Sequence, residues 1–199
     1  MSIQCPDNAY VINKLIKACG FKHGAELGVR RGEFSAYLLQ ENPDLVMSCV
    51  DIWGQNSALN ERHNHDINYG SYKHNTLPYK DRVKEYKMLM SEGAKLHEHE
   101  SLDFIFIDGT HTYKAVKEDL ENWVPNVNSN GIICGHDYNE AFDKGGIIKA
   151  VREFCPDIIE FVNTSSIDVN NEKVFECLNT SLFKGVADRA TGCWYVWRN

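Results

Sequence analysis

The sequence predicts a doubly wound α/β domain, with seven strands in a mostly parallel sheet and helices on both faces. Three observations carry this expectation. Short apolar runs alternate with longer stretches of helical spacing along all 199 residues, which is the pattern of βαβ units. The segment LDFIFID (102–108) is continuously apolar between polar ends, as a strand buried on both faces must be. The chain also has no internal repeat and no Ser/Pro-rich linker, and it is 43% hydrophobic. That combination fits a single domain, 1–199, with a sizeable core. Disorder and low-complexity architectures are excluded by the same numbers. No run of about 18 apolar residues is present to span a membrane. The opening MSIQCPDNAYVINK lacks a basic stretch followed by an apolar one, so no secretory signal is expected.

The elements follow in order. A helix over about 7–19 places Val11, Ile12, Leu15 and Ile16 on one face, with Asp7 as its N-cap. A strand at 23–28 leads into a helix over Phe34–Glu41, and a second strand, LVMSCVD (45–51), ends on a carboxylate. Residues 54–78 are rich in Asn and His; a loop followed by a helix over roughly 62–76 is expected. A third strand near 83–89 and a short helix at 91–98 precede the strand at 102–108. Tyr113–Trp123 carries Ala115, Val116, Leu120 and Trp123 at apolar spacing, and Pro125 stops it. A turn and a fifth strand cover 128–137, a helix spans Gly145–Phe154, and strands at 157–162 and 193–197 complete the set. The 30 or so residues between those last two are poorly patterned.

A net charge of −7 argues against nucleic-acid partners, which usually meet a basic stripe. It does not exclude a small nucleotide ligand. Seven cysteines, at 5, 19, 49, 134, 155, 177 and 193, form no CxxC pair. Several lie in apolar runs, so they read as reduced core thiols of a cytoplasmic protein.

The first strand runs into Gly28-Val29-Arg30-Arg31-Gly32. Glycine at a strand end lets a ligand approach the backbone, and the next helix presents free N–H groups. A pyrophosphate loop would read GxGxxG; here the pattern is Glu26-x-Gly28-x-x-x-Gly32, without the middle glycine. The carboxylate of Glu26 suits a cationic ligand better than a phosphate. Asp51 ends the second strand 23 residues after Gly28, where a doubly wound fold holds ribose hydroxyls.

An apolar strand also delivers Asp108 to its carboxyl end, with His111 three residues later. The next strand delivers His136 and Asp137 to the same edge. Ligands of open α/β sheets bind at that edge. Carboxylates with imidazole can hold a divalent cation, which would lower the pKa of a substrate hydroxyl. His111 titrates near neutrality and can take the hydroxyl proton.

AELGVRRGEFSAYL (25–38) resembles the first motif of class I S-adenosylmethionine-dependent methyltransferases, and Asp51 stands where that family holds the ribose. The segment DFIFIDGTHTYKAVKEDLENWVPNVNSNGIICGHDY (103–138) is similar to the macrocin-type small-molecule O-methyltransferases with a DGxHxY motif. The resemblance covers 20–137 motif by motif and 138–199 only in outline. It implies a Rossmann-like sheet with its last strand antiparallel, and S-adenosylmethionine held by Glu26, Gly28, Gly32, Asp51, Ser91 and Asp108. It further implies magnesium on Asp108 and Asp137, with His136 either a third ligand or an adjacent polar residue. His111 would be the general base toward a small hydroxylated acceptor. The rival readings are a catalytically silent cofactor-binding module and a nicotinamide-dependent oxidoreductase; the glycine pattern disfavours the second. A homo-oligomer is open to the first helix and the 164–192 insert.

Other features read as structural. His63, His65 and His74 fall on a solvated helix or a lid over the cofactor. YKDRVKEYK (79–87) reads as solvated surface, and His97 and His99 as part of a polar connector. Trp194, Tyr195 and Trp197 read as buried in the last strand.

Overall fold

The computed structural model describes residues 3–6, 8–54, 65–161, 183–188 and 192–198. Its helices are α1 (Tyr10–Cys19), α2 (Glu33–Glu41), α3 (His65–Thr76), α4 (Met90–Ala94), α5 (Tyr113–Trp123) and α6 (Gly146–Phe154). Its strands are β1 (His23–Leu27), β2 (Val46–Asp51), β3 (Val83–Lys87), β4 (Leu102–Ile107), β5 (Val127–Gly135), β6 (Ile159–Phe161), β7 (Phe183–Asp188) and β8 (Cys193–Arg198). They form one sheet in the order β3-β2-β1-β4-β5-β8-β7-β6. Neighbours are parallel throughout, except that β8 runs antiparallel to both β5 and β7.

The sheet is mostly parallel with an antiparallel last strand, as expected, but the described residues hold eight strands rather than seven. The additional strand is β7. Its sequence, FKGVAD, neither alternates nor forms an apolar run, and it is a strand because β6 and β8 pair with it on either side.

Helices cover both faces. Val11, Ile12, Leu15 and Ile16 of α1 pack with Phe34 and Leu38 of α2 and Tyr72 of α3 over Phe104, Phe106 and Tyr195. On the other face Val116, Leu120 and Trp123 of α5 and Ile147 and Val151 of α6 lie over Ile105, Ile133 and Trp194. Trp194, Tyr195 and Trp197 are buried in β8 as expected.

Several boundaries move. The first helix begins at Tyr10 with Ala9 at its N-cap position, and no side chain caps it; Asp7 lies outside the described residues. Its C-terminal end is closed by Gly20, whose φ of 69° lets its N–H reach the Ile16 carbonyl. The described part of the Asn/His-rich helix starts at His65, and His63 lies outside the described residues. The strand β5 ends at Gly135, so His136 and Asp137 follow it rather than belonging to it. Segment 79–87 is not plain solvated surface. The Arg82 guanidinium donates to the carbonyls of Leu39, Asn42 and Leu45, at 2.9–3.1 Å, and 83–87 is the edge strand β3. His97 is likewise built in. Its ring nitrogens meet the Gly93 carbonyl and the Ser48 hydroxyl, each at 2.9 Å, between the rings of Tyr86 and Trp123. Cys49, Cys134, Cys155 and Cys193 are buried, whereas Cys5 and Cys19 are exposed. Among the described residues no helix is long and apolar enough to cross a membrane.

Candidate active site

Parallel register brings the functional residues to one edge. Leu27 pairs with Val50 on one side and Ile107 on the other, and Ile107 pairs with Gly135. The residues that follow, Gly28, Asp51, Asp108 and His136-Asp137, therefore emerge together. They line one cavity of about 770 Å³, which Glu26, Ser91 and His111 also line. That is a volume suited to a drug-sized or nucleoside ligand. Of the residues singled out in the sequence, Gly32 alone does not line it. Its φ is 73°, and an added Cβ would stand 2.8 Å from the Tyr72 ring, so it closes the turn into α2 against α3. Gly28 does line the cavity. Its φ is 94°, and a Cβ there would stand 2.3 Å from the Asp108 carbonyl oxygen. The loops after β1 and β4 meet only because this residue has no side chain.

At the β1/β2 end the carboxylates are locked by the protein. Asp51 accepts the Arg30 N–H at 2.8 Å and the Trp53 N–H at 2.9 Å. The Trp53 indole in turn donates to the Arg30 carbonyl at 2.9 Å. Glu26 is buried and accepts the Ser35 hydroxyl. Burial pushes its carboxyl well above the usual range, against the opposing effect of the Ser35 bond.

At the β4/β5 end the groups face one another. His111 Nε2 lies 3.0 Å from Asp137 Oδ2 and 3.8 Å from Asp108 Oδ1. His136 Nδ1 lies 3.4 Å from Asp137 and 3.8 Å from Asp108. Asp108, together with Asp137, holds the His111 imidazole above its ordinary value, against partial burial. Burial acts to raise the Asp137 carboxyl, but His136 and His111 outweigh it and hold the group low. Asp137 has φ 58°, a sparsely populated conformation for a non-glycine residue and one that recurs at functional sites. One ligand atom from each of Asp108, His111 and Asp137 falls within 4.8 Å of the others, a spacing that a divalent cation can bridge. The group that meets this spacing contains His111 and not His136.

The remaining walls come from Leu89, Met90 and Ser91 at the start of α4, from Ala115, Glu118 and Asp119 on α5, and from Pro6, Asn8 and Phe142. Asn8 Nδ2 approaches Asp108 at 3.4 Å, and the Phe142 ring stands edge-on to His111, with centroids 4.7 Å apart. Asp119 was not among the residues singled out in the sequence. It is 6% exposed, and burial, with Glu118 adding to it, pushes its carboxyl up to about 7. The sequence does carry a signal for it. Position 119 is four residues from both Ala115 and Trp123 and three from Val116, so an acid sits on the apolar face of α5.

Residues 25–138 match a family model described as a methyltransferase domain. One curated relative, the uncharacterized protein y4gI of Sinorhizobium fredii (strain NBRC 101917 / NGR234), is 28% identical over 101 residues, 47% of this chain. The match spans only 10% of that relative's length. Among solved structures, the O-methyltransferase from Bacillus cereus in complex with SAH superposes with a TM-score of 0.61 at 14% identity, covering 100% of this chain and 83% of the other. The O-methyltransferase TomG from Streptomyces achromogenes, involved in tomaymycin synthesis and solved with SAM, gives 0.60 at 10% identity, covering 99% and 82%. At these identities the superpositions speak for the fold.

Proposed function

The chain belongs to the methyltransferase-domain family, and from that premise we propose that it transfers the methyl group of S-adenosylmethionine to a hydroxyl oxygen of a small acceptor, as the macrocin-type enzymes with a DGxHxY motif do. The observation that carries this reading is the meeting, in one cavity, of a backbone-locked Asp51 and the Asp108/His111/Asp137 cluster. Asp51 keeps lone pairs free for ribose hydroxyls after accepting two backbone N–H groups. Glu26, Gly28 and Ser91 line the same cofactor side, and Gly32 shapes the turn. Asp108 faces both cofactor and acceptor. The SAH- and SAM-bound neighbours support this choice of cofactor.

The donor set at the β4/β5 end fits a divalent cation. Magnesium prefers oxygen ligands and keeps several waters, so Asp108 and Asp137 would hold it while His111 remains the base and His136 an adjacent polar group. When bound, the ion would lower the pKa of the acceptor hydroxyl. The chain's own groups supply alignment and the proton path. His111 takes the hydroxyl proton, the oxygen attacks the methyl carbon, the C–O bond forms and the C–S bond breaks, leaving neutral S-adenosylhomocysteine. Asp108 and Asp137 stabilise the imidazolium that results.

Calorimetry with S-adenosylhomocysteine tests the cofactor: binding in the micromolar range is expected, and none at millimolar ligand overturns it. Turnover that survives exhaustive chelation removes the ion from the reaction.

A further inference from the structure

Asp119 is a buried acid that the scheme above does not use. It lines the cavity from α5 and is 6% exposed. No hydrogen bond or ion pair joins its carboxyl to any of the described residues; the neighbouring charge acting on it is Glu118, its neighbour in sequence. Buried polar groups in folded proteins are almost always paired, and each exception calls for a reason. The simplest reason for an unpaired acid on a cavity wall is a ligand that pairs it.

The chemistry of that wall narrows the ligand. The same cavity is lined by Ala115, Glu118 and Asp119, by Leu89, Met90 and Ser91, and by Ile52 and Trp53, which follow Asp51; α5 and the start of α4 pack together, the Trp123 indole donating to the Met90 carbonyl at 3.0 Å. With the ribose at Asp51, the amino-acid tail beside Glu26 and Gly28 and the sulfur toward Asp108, as the reading above has them, the base is the part of the cofactor left to place. That wall sets Ile52, Trp53, Leu89 and Met90 beside one buried acid, a chemistry that suits a flat heteroaromatic ring carrying a polar edge. We propose that Asp119 is the residue that reads the base of the cofactor, its carboxyl accepting the exocyclic amino group of adenine and, when protonated, donating to an adjacent ring nitrogen. A carboxyl titrating near neutrality can present both a donor and an acceptor, which matches the alternating donor and acceptor of that edge. The proposal rests on the cofactor reading above and adds to it the residue that distinguishes an amino-purine from other bases.

The experiment is a cycle of protein and ligand changes read by calorimetry. Wild type, Asp119→Asn and Asp119→Leu are each titrated with S-adenosylhomocysteine and with its 6-deamino purine analogue, and each unliganded protein is melted. Wild type is expected to prefer the amino compound by about 10-fold, the worth of one hydrogen bond to a buried acid. Asp119→Asn keeps a donor and an acceptor and is expected to retain most of that preference. Asp119→Leu is expected to bind S-adenosylhomocysteine about 10–100-fold more weakly and to lose the preference, while melting at or above the wild-type temperature because an unpaired buried acid is gone. A purely structural acid would not combine unchanged or higher stability with lost base discrimination. Persistence of the full preference in Asp119→Leu, or its absence in wild type, overturns the assignment while leaving the cofactor in place. Failure of wild type to bind either nucleoside overturns the cofactor reading itself.

Discussion

The two ends of the cavity hold their carboxylates in opposite ways. At β1/β2, Asp51 is fixed by two backbone N–H groups and Glu26 is buried against the Ser35 hydroxyl. At β4/β5, Asp108, His111, His136 and Asp137 are each partly exposed, and each imidazole lies 3.0–3.8 Å from both carboxylates. One end is set before any ligand arrives. The other depends on the charges placed in it. A site divided in this way suits a cofactor that binds the same way each time and a reaction in which charge moves.

The sharpest test of this division is Asp137→Ala. It is expected to lower turnover about 10³-fold, the equivalent of the several kcal/mol that charge stabilisation at such a site supplies, while S-adenosylhomocysteine affinity changes less than about 3-fold in calorimetry. Next, His111→Ala should cost about 10²-fold in kcat, the lower range for a general base, again with little change in cofactor affinity. The reverse pattern is expected at the fixed end: Asp51→Ala should weaken S-adenosylhomocysteine binding about 30-fold by removing a charged hydrogen-bond acceptor. If all three variants moved affinity and turnover together, the two ends would not be separate.

Gly28 is where the ends touch. Alanine there meets both the positive φ and the Asp108 carbonyl, so a loss of about 1–3 kcal/mol in denaturant unfolding is expected, with both functions impaired. The smallest effect concerns pH. Because burial raises the Glu26 carboxyl in the folded chain, the folded state binds more protons than the unfolded state above the ordinary carboxylate range. Stability should therefore fall as pH rises from that range toward the folded value. Glu26→Gln, neutral at every pH, should unfold with a weaker pH dependence than wild type across that window. An unchanged profile would mean that Glu26 is not held protonated.

How far the sequence revealed this site depends on where each residue's partners lie. LDFIFID and GIICG announce themselves because burial on both faces leaves a continuous apolar run, and the carboxylates at their ends are positioned by strand register alone. Asp51 is equally plain, since it closes an apolar strand. β7 was invisible because its identity as a strand comes from β6 and β8. Arg82 read as surface and His97 as connector because their partners, the carbonyls of Leu39, Asn42 and Leu45 and the Ser48 hydroxyl, lie 37–49 residues away. The two histidines after β4 and β5 were visible as candidates, but their order about the carboxylates was not. Both imidazoles come within 3.0–3.8 Å of Asp108 and Asp137, an arrangement set by the loops after β4 and β5 rather than by the strands themselves.

The position of β8 bears on the order in which the molecule is assembled. It lies between β5 and β7 and pairs with both, yet it is the last in sequence of the eight strands among the described residues. Until it arrives, β5 has a bare edge, and β6 with β7 has nothing to join. The cofactor half can pair β1 to β5 among themselves early, but β5, which carries His136 and Asp137 at its end, gains its second neighbour only from the final strand. Long-range closure of this kind is slow. The side of β5 away from β4 should therefore stay open until the last of these strands is made, with β6, β7 and β8 the last to join the sheet.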